Sequence, residues 1–306
     1  MRKEIEFQSK GTTCRGWFYT PDEGKGPFPV VVMAGGWCYV REIVMPHYAE
    51  FFAKAGMAVL IFDYRRLGAS DGEPRQHLDP WAQIEDYKNA ISYVRALPEV
   101  DPERVGIWGI SYSGGHVLIV GATDPRVKCI VSTIPVVDGY RNMRRVHGIQ
   151  GFRRLMDAIM ADREQRYAEG GNRGRIDFAA PNPANTVCTW PLPETYEVFM
   201  NLKKTEAPLH EHWSTAESTE LLMNYTVFPY VPRILDIPTL MLVAEGDDLT
   251  LWDLETDAFN QIAASRKKRF VIPETSHMSL YSSRSKLEIA AGVATEWLSD
   301  HLVKPY

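Results

Sequence analysis

Short apolar runs alternating with helical segments constrain this chain more than any other feature. Residues 28–33 and 57–62 are almost wholly apolar, and 105–108, Val127–Thr133, 239–243 and 269–272 follow in the same style. Runs of this length, without polar alternation, read as strands buried on both faces of a sheet. Between them lie segments with helical periodicity. Asp79-Pro80 is a helix start, an N-cap followed by proline at the first helical position. Trp81, Ile84, Tyr87, Ile91 and Val94 then share one face. Residues 48–55 and 289–302 read as further helices, the latter with Ala290, Val293, Trp297 and Leu298 on one side. Residues 5–7 and 14–19 alternate around Lys10-Gly11 and suggest an N-terminal strand pair. Strands alternating with helices imply an α/β architecture, a mostly parallel central sheet flanked by helices.

The alternation breaks once. Residues 140–233 are arginine-rich, then Gly/Asn-rich, then Pro/Trp-rich, and hold no strong buried-strand signal. They read as an inserted, mainly helical lid, leaving 1–139 and 234–306 as the core. At 45% hydrophobic and 24% charged residues, the chain can fill such a core and still present a solvated surface. A net charge of −5 gives no electrostatic reason to expect nucleic acid or an anionic membrane as partner. No apolar run approaches the roughly 18–20 residues of a membrane span. The four cysteines, Cys14, Cys38, Cys129 and Cys188, have no metal-binding or disulfide spacing and read as reduced thiols. A cytoplasmic protein is expected. A homodimer fits a lidded chain of this size, although no residue argues for it.

The segment Gly109-Ile110-Ser111-Tyr112-Ser113-Gly114-Gly115 follows a strand and precedes a helix. A nucleophilic serine in an α/β-hydrolase fold needs this sharp turn, with small residues on either side. Ser113 stands where glycine is usual. The plainer reading of Ser111 is a helix N-cap; the strand before it and the apolar helix after it favour a nucleophile. Ser113 is a rival, but it falls inside the first helical turn.

A serine nucleophile needs a base, and the base an orienting acid, in the chain order Ser, acid, His. His277 lies in a late loop just beyond the strand 269–272. Asp247 and Asp248 lie where the strand 239–243 runs out, and Asp138 follows Val127–Thr133. All three acids sit at strand ends, where such sites form. Backbone donors for an oxyanion are expected from Tyr112, at the start of the elbow helix, and from Trp37 in the Gly35-Gly36-Trp37 loop. Cys38 has no histidine placed to pair with it.

These residues resemble the X-Pro dipeptidyl-peptidase-like and cocaine-esterase-like branch of the α/β hydrolases. That branch carries G-x-S-Y-x-G at the elbow, matched by Gly109-Ile110-Ser111-Tyr112-Ser113-Gly114. The chain is more similar still to bacterial α/β hydrolases related to fungal polyketide transferases. It shares with them Phe62-Asp63-Tyr64-Arg65, the stretch 68–75, the elbow approach 97–104 and Pro191-Leu192-Pro193-Glu194-Thr195-Tyr196-Glu197 in the lid. Their acid strand is similar to residues 241–247, which ranks Asp247 above Asp248. The resemblance implies an α/β-hydrolase fold with a lid and the triad Ser111, Asp247 and His277. It also implies ester or lactone hydrolysis, or acyl transfer by the same triad.

Methionines and aromatics mix in the lid, and Met160, Trp190, Met200 and Trp213 are the candidates for an apolar substrate pocket. The expected substrate is an apolar or aromatic ester or lactone, polyketide-type ones included. No metal or organic cofactor is called for. Peptidase activity is disfavoured, because no acidic pair for a substrate amine is evident. A binding protein that has lost catalysis is disfavoured by the intact Ser, Asp, His order.

Overall fold

The computed structural model describes residues 1–171 and 174–304. β1 (Arg2–Ser9) and β2 (Thr12–Tyr19) form an antiparallel hairpin. Lys10 and Gly11 both take positive φ at its turn, the geometry a two-residue hairpin requires. β3 (Phe28–Ala34), α1 (Met45–Lys54), β4 (Ala58–Phe62), α2 (Pro80–Arg95), β5 (Val100–Ile110), α3 (Tyr112–Thr123) and β6 (Val127–Thr133) follow in strict alternation. Between β6 and the next core strand come α4 (Gly139–Val146), α5 (Gly148–Glu169), β7 (Arg175–Asp177), α6 (Pro193–Thr205), β8 (Trp213–Thr215) and α7 (Ala216–Met223). The chain closes with β9 (Thr239–Ala244), α8 (Trp252–Gln261), β10 (Lys267–Ile272), α9 (Ser279–Ser282) and α10 (Arg284–Leu298).

Eight strands form one sheet in the order β1-β2-β4-β3-β5-β6-β9-β10. β2 runs antiparallel to both its neighbours, and every pairing from β4 to β10 is parallel. α1 packs on α10 and α2 on α3, two helical pairs that flank the sheet. All five residues of β4 and all six of β9 are buried, as expected of strands covered on both faces. Each such Val, Leu or Ile contributes about 1.5–3 kcal/mol by leaving water.

The helix starts follow from local chemistry. The Asp79 carboxylate accepts the N–H groups of Trp81 and Ala82 at 2.9 and 3.3 Å, with Pro80 just inside. The α2 face differs from the sequence expectation at one residue. Ile84, Tyr87, Ile91 and Val94 are buried, but Trp81 is 46% exposed and tilts against the Tyr230 ring. The last helix starts at Arg284, five residues before the expected 289, and Ile289 is 41% exposed. Among the described residues the segment between β6 and β9 is mainly helical and carries a small antiparallel ribbon of β7 and β8. No helix among the described residues is long and apolar enough to cross a membrane.

Candidate active site

The turn between β5 and α3 puts Ser111 at φ 58° and ψ −119°. A residue with a Cβ pays about 1–3 kcal/mol for such a conformation and holds it only where its surroundings over-determine it. They do so here. Ser111 N–H donates to the Thr133 carbonyl at 2.9 Å, and the Ser111 carbonyl accepts from Val136 N–H at 3.0 Å. Gly109 makes the turn sterically feasible, because a Cβ there would lie 2.2 Å from the Ser113 carbonyl oxygen. Ser113 itself is spoken for, since its hydroxyl is hydrogen-bonded to that of Tyr64. That bond lets a serine stand where glycine is usual, and it points Ser113 away from the role of nucleophile.

The loop after β3 presses on the elbow. A Cβ at Gly36 would come 2.9 Å from Ser111 Cβ and 3.1 Å from Tyr39 Cζ. Glycine therefore lets the Gly35-Gly36-Trp37 backbone reach the serine. Tyr112 opens α3, so its N–H is one of the four that a helix start leaves without an intrahelical acceptor. Ser111 is 3% exposed and His277 fully buried.

His277 sits five residues beyond β10, and its Nδ1 lies 2.8 Å from Asp247 Oδ2. The other Asp247 oxygen, Oδ1, accepts the backbone N–H groups of Leu249 and Thr250 at 3.0 and 2.8 Å. Burial alone would raise the Asp247 carboxyl, but His277 and Thr250 outweigh it and hold the group below the ordinary carboxylate range. The carboxylate fixes the His277 tautomer with its proton on Nδ1 and leaves Nε2 as the basic nitrogen. Among the described residues His277 Nε2 has no hydrogen-bond partner. The other two acids lie elsewhere. Asp248 is exposed, and Asp138 caps α4 by accepting Arg141 N–H at 2.9 Å.

Side chains that the sequence does not single out, Tyr39, Tyr281 and Thr250 among them, complete the surroundings. The Tyr39 hydroxyl lies against the side chains of Ser111 and Tyr281. The Tyr281 ring stands 5.8 Å from that of His277, and Phe199 packs against both tyrosines. Thr250 Oγ1 is hydrogen-bonded to Glu255 Oε1 at 2.8 Å and lies 3.1 Å from His277 Nδ1. Beneath the elbow His116 is buried, with Nε2 2.9 Å from Gln83 Oε1 and Nδ1 3.0 Å from the Tyr225 hydroxyl. Burial pushes His116 down to about 3, so it is neutral at physiological pH.

Of the pocket candidates, Trp190 packs on the Gly35-Gly36-Trp37 loop. It is buried, with its ring edge-on to that of Trp37 at 6.4 Å. Met160, by contrast, is 45% exposed on α5. Trp213 is displaced too. It lies under the Arg175 guanidinium and borders a surface groove that contains neither Ser111 nor His277. Met200 is half-buried on α6, and its neighbour Phe199 is the residue that faces Tyr39. Cys38 is buried, which pushes its thiol well above the ordinary value and suppresses the thiolate. Among the described residues no group of three or more metal-ligating side chains comes together.

The eight-stranded, mostly parallel sheet, flanked by helices and carrying a strained serine at a strand-to-helix turn, defines an α/β hydrolase. Residues 11–279 match the family described as X-Pro dipeptidyl-peptidase (S15 family), and the chain belongs to that family. It is 39% identical over 199 residues to the quorum-quenching protein AidA of Acinetobacter baumannii, covering 65% of this chain and 64% of that protein. It is 30% identical over 290 residues to the thiohydrolase aneE of Aspergillus aculeatus, covering 92% of this chain and 88% of the relative. The acyltransferase drtE of Aspergillus calidoustus is 30% identical over 80% of this chain and 78% of its own length. Among solved structures, that of DcsB in complex with its substrate analogue superposes with a TM-score of 0.85. That match covers 99% of this chain and all of the other at 24% identity, a likeness of fold. The relatives thus include both hydrolases and an acyltransferase.

Proposed function

We propose that this protein is a serine hydrolase that cleaves a carboxylic ester, lactone or thioester through an acyl-enzyme on Ser111. The observation that carries the reading is the buried 2.8 Å contact between His277 Nδ1 and Asp247 Oδ2, on the loops after two strands of the sheet whose central elbow holds Ser111. His277 Nε2 takes the Ser111 proton as the hydroxyl attacks the acyl carbonyl, and returns it to the leaving group. Asp247 holds the imidazole in the required tautomer and balances the charge it gains. The N–H groups of Trp37 and Tyr112 receive the oxyanion, an interaction worth about 3–4 kcal/mol per donor. Residues 140–233 act as the lid, and Trp190 forms part of the apolar wall on which the acyl group rests. The four cysteines, all unpaired and buried, suit a cytoplasmic setting.

Acyl transfer is the second reading, favoured by the near-complete burial of Ser111 and His277. A site that excludes water can pass its acyl group to an alcohol or thiol.

The test is a panel of aryl esters, lactones and thioesters assayed with wild type and Ser111→Ala, with and without an alcohol acceptor. Free acid released by wild type alone is the expected result. A Ser111→Ala variant of wild-type activity would refute the reading, and predominant transfer to the acceptor would select the second.

A further inference from the structure

Glu255 has no place in the triad, yet it is fully buried within one hydroxyl of it. The residue sits in the first turn of α8, its Oε1 at 2.8 Å from Thr250 Oγ1, and its Oε2 has no hydrogen-bond partner among the described residues. Thr250 Oγ1 in turn stands 3.1 Å from His277 Nδ1 and also contacts the Asp247 carboxylate. Two carboxyl groups, one from the loop after β9 and one from α8, thus converge on a single threonine hydroxyl behind the imidazole.

We propose that Glu255 is a positioning residue: a neutral carboxylic acid that, through Thr250, turns a hydroxyl donor onto Asp247 and fixes the carboxylate against His277. The inference rests on the reading of Ser111, Asp247 and His277 given above.

Hydrogen-bond arithmetic supports it. A hydroxyl has one proton to give and can accept two. With a proton on Oε1, Glu255 donates to Thr250 Oγ1, which is then free to donate to Asp247 while still accepting weakly from His277 Nδ1–H. With Glu255 ionised, Thr250 must give its proton to Glu255. Asp247 then loses a donor and faces a second buried negative charge.

The surroundings favour the protonated form. Burial first and the Asp247 charge second push the Glu255 carboxyl well above the ordinary range, and Asp253 adds to them against the pull of Thr250. Among the described residues no cation is paired with Glu255; Arg269, from β10, donates instead to Thr256 Oγ1 at 2.8 Å. Arg145, on α4, is paired with Asp253 at 2.6 Å, and Arg141 with Asp257 at 3.5 Å. Arg233, from the turn that packs against α8, lies over the Tyr230 ring. Across Thr250 the one remaining titratable neighbour is His277.

The experiment is the pH profile of kcat and kcat/KM for p-nitrophenyl ester hydrolysis by wild type, Glu255→Gln, Glu255→Leu and Ser111→Ala. Leucine cannot donate to Thr250, and kcat should fall about tenfold with KM little changed, the size of effect that outer partners of catalytic groups carry. Glutamine keeps an uncharged donor and should restore most of that loss. Wild type should lose activity on the alkaline side as Glu255 ionises, and Glu255→Gln should lack that limb. A glutamine variant as impaired as leucine, or one that keeps the alkaline limb unchanged, would overturn the proposal; so would a leucine variant of wild-type kcat. Should the leucine variant not fold, the limb in Glu255→Gln still decides. Turnover surviving in Ser111→Ala would remove the reading of the site as well. An inactive Ser111→Ala beside a failed glutamine rescue would remove the role of Glu255 alone.

Discussion

The two sides of the candidate site are built differently. On the sheet side, Ser111, Asp247 and His277 each follow a parallel strand, and their backbone or carboxylate groups are held by hydrogen bonds from neighbouring segments. On the side facing residues 140–233, the contacts are aromatic: Trp190 on Trp37, Phe199 on Tyr39 and Tyr281. There, among the described residues, the indole nitrogens of Trp37 and Trp190 are buried without a hydrogen-bond partner. One side fixes atoms to within a bond length. The other packs rings, which tolerate repacking far better than a directed polar contact does. On the proposed function, the chemistry stays constant while this aromatic side changes, and relatives named as hydrolases and as an acyltransferase are what such a division would produce.

Substitutions should separate the two sides, and the largest effects belong to the sheet side. Ser111→Ala should lower kcat about 10⁴-fold or more while the protein stays folded. Ser111→Gly should be equally inactive but about 1 kcal/mol more stable, because glycine accepts φ 58° without strain. Chemical denaturation measures this; a less stable glycine variant would show that the elbow stores no strain. Gly109→Ala forces the elbow apart against the Ser113 carbonyl and should cost about 1–3 kcal/mol together with most of the activity. Normal activity there would mean that the turn yields more easily than its geometry implies.

The wall should respond more mildly and in a different parameter. Trp190→Phe keeps an aromatic ring and should raise KM for aromatic esters about five- to tenfold, with kcat little changed, since a change of shape in an apolar pocket is worth about 1–3 kcal/mol. A large fall in kcat instead would blur the division between the two sides.

The last effect falls on stability against pH and leaves catalysis aside. His116 is depressed in the folded protein to about 3 from an ordinary 6.5, so unfolding takes up a proton between those values. Its contribution is present above pH 6.5 and lost as the pH falls toward 3. Over that window His116→Gln should flatten the decline by about 1.4 kcal/mol per pH unit, one proton's worth. An unchanged slope would mean that His116 is charged in the fold.

Legibility in the sequence divides along the same line. Strand ends announce themselves through apolar runs followed by Gly, Asp or Pro, so Ser111, Asp247 and His277 could be picked out, and Asp247 alone among the candidate acids meets the histidine. Glu255 could not be. In Trp252–Gln261 it shares the inward face with Leu254 and Ala258, opposite Asp253 and Asp257, and a lone acid among so many in one helix does not by itself mark a site. Met160 and Trp190 are equally plausible wall residues by composition. Which of them meets the core depends on how the helices between β6 and β9 are laid down, and no local periodicity encodes that. Tyr39 was hidden for a related reason: it acts from a loop whose path depends on the close approach of Gly36 to Ser111.

The central claim, that Ser111 is the nucleophile, is tested most directly by an activated phosphonate followed by intact-mass measurement and peptide mapping. The account predicts one phosphonyl adduct per chain, on the peptide containing Ser111, formed in step with the loss of ester turnover and absent from Ser111→Ala. An adduct on another residue, or full turnover in a protein labelled at Ser111, would contradict it.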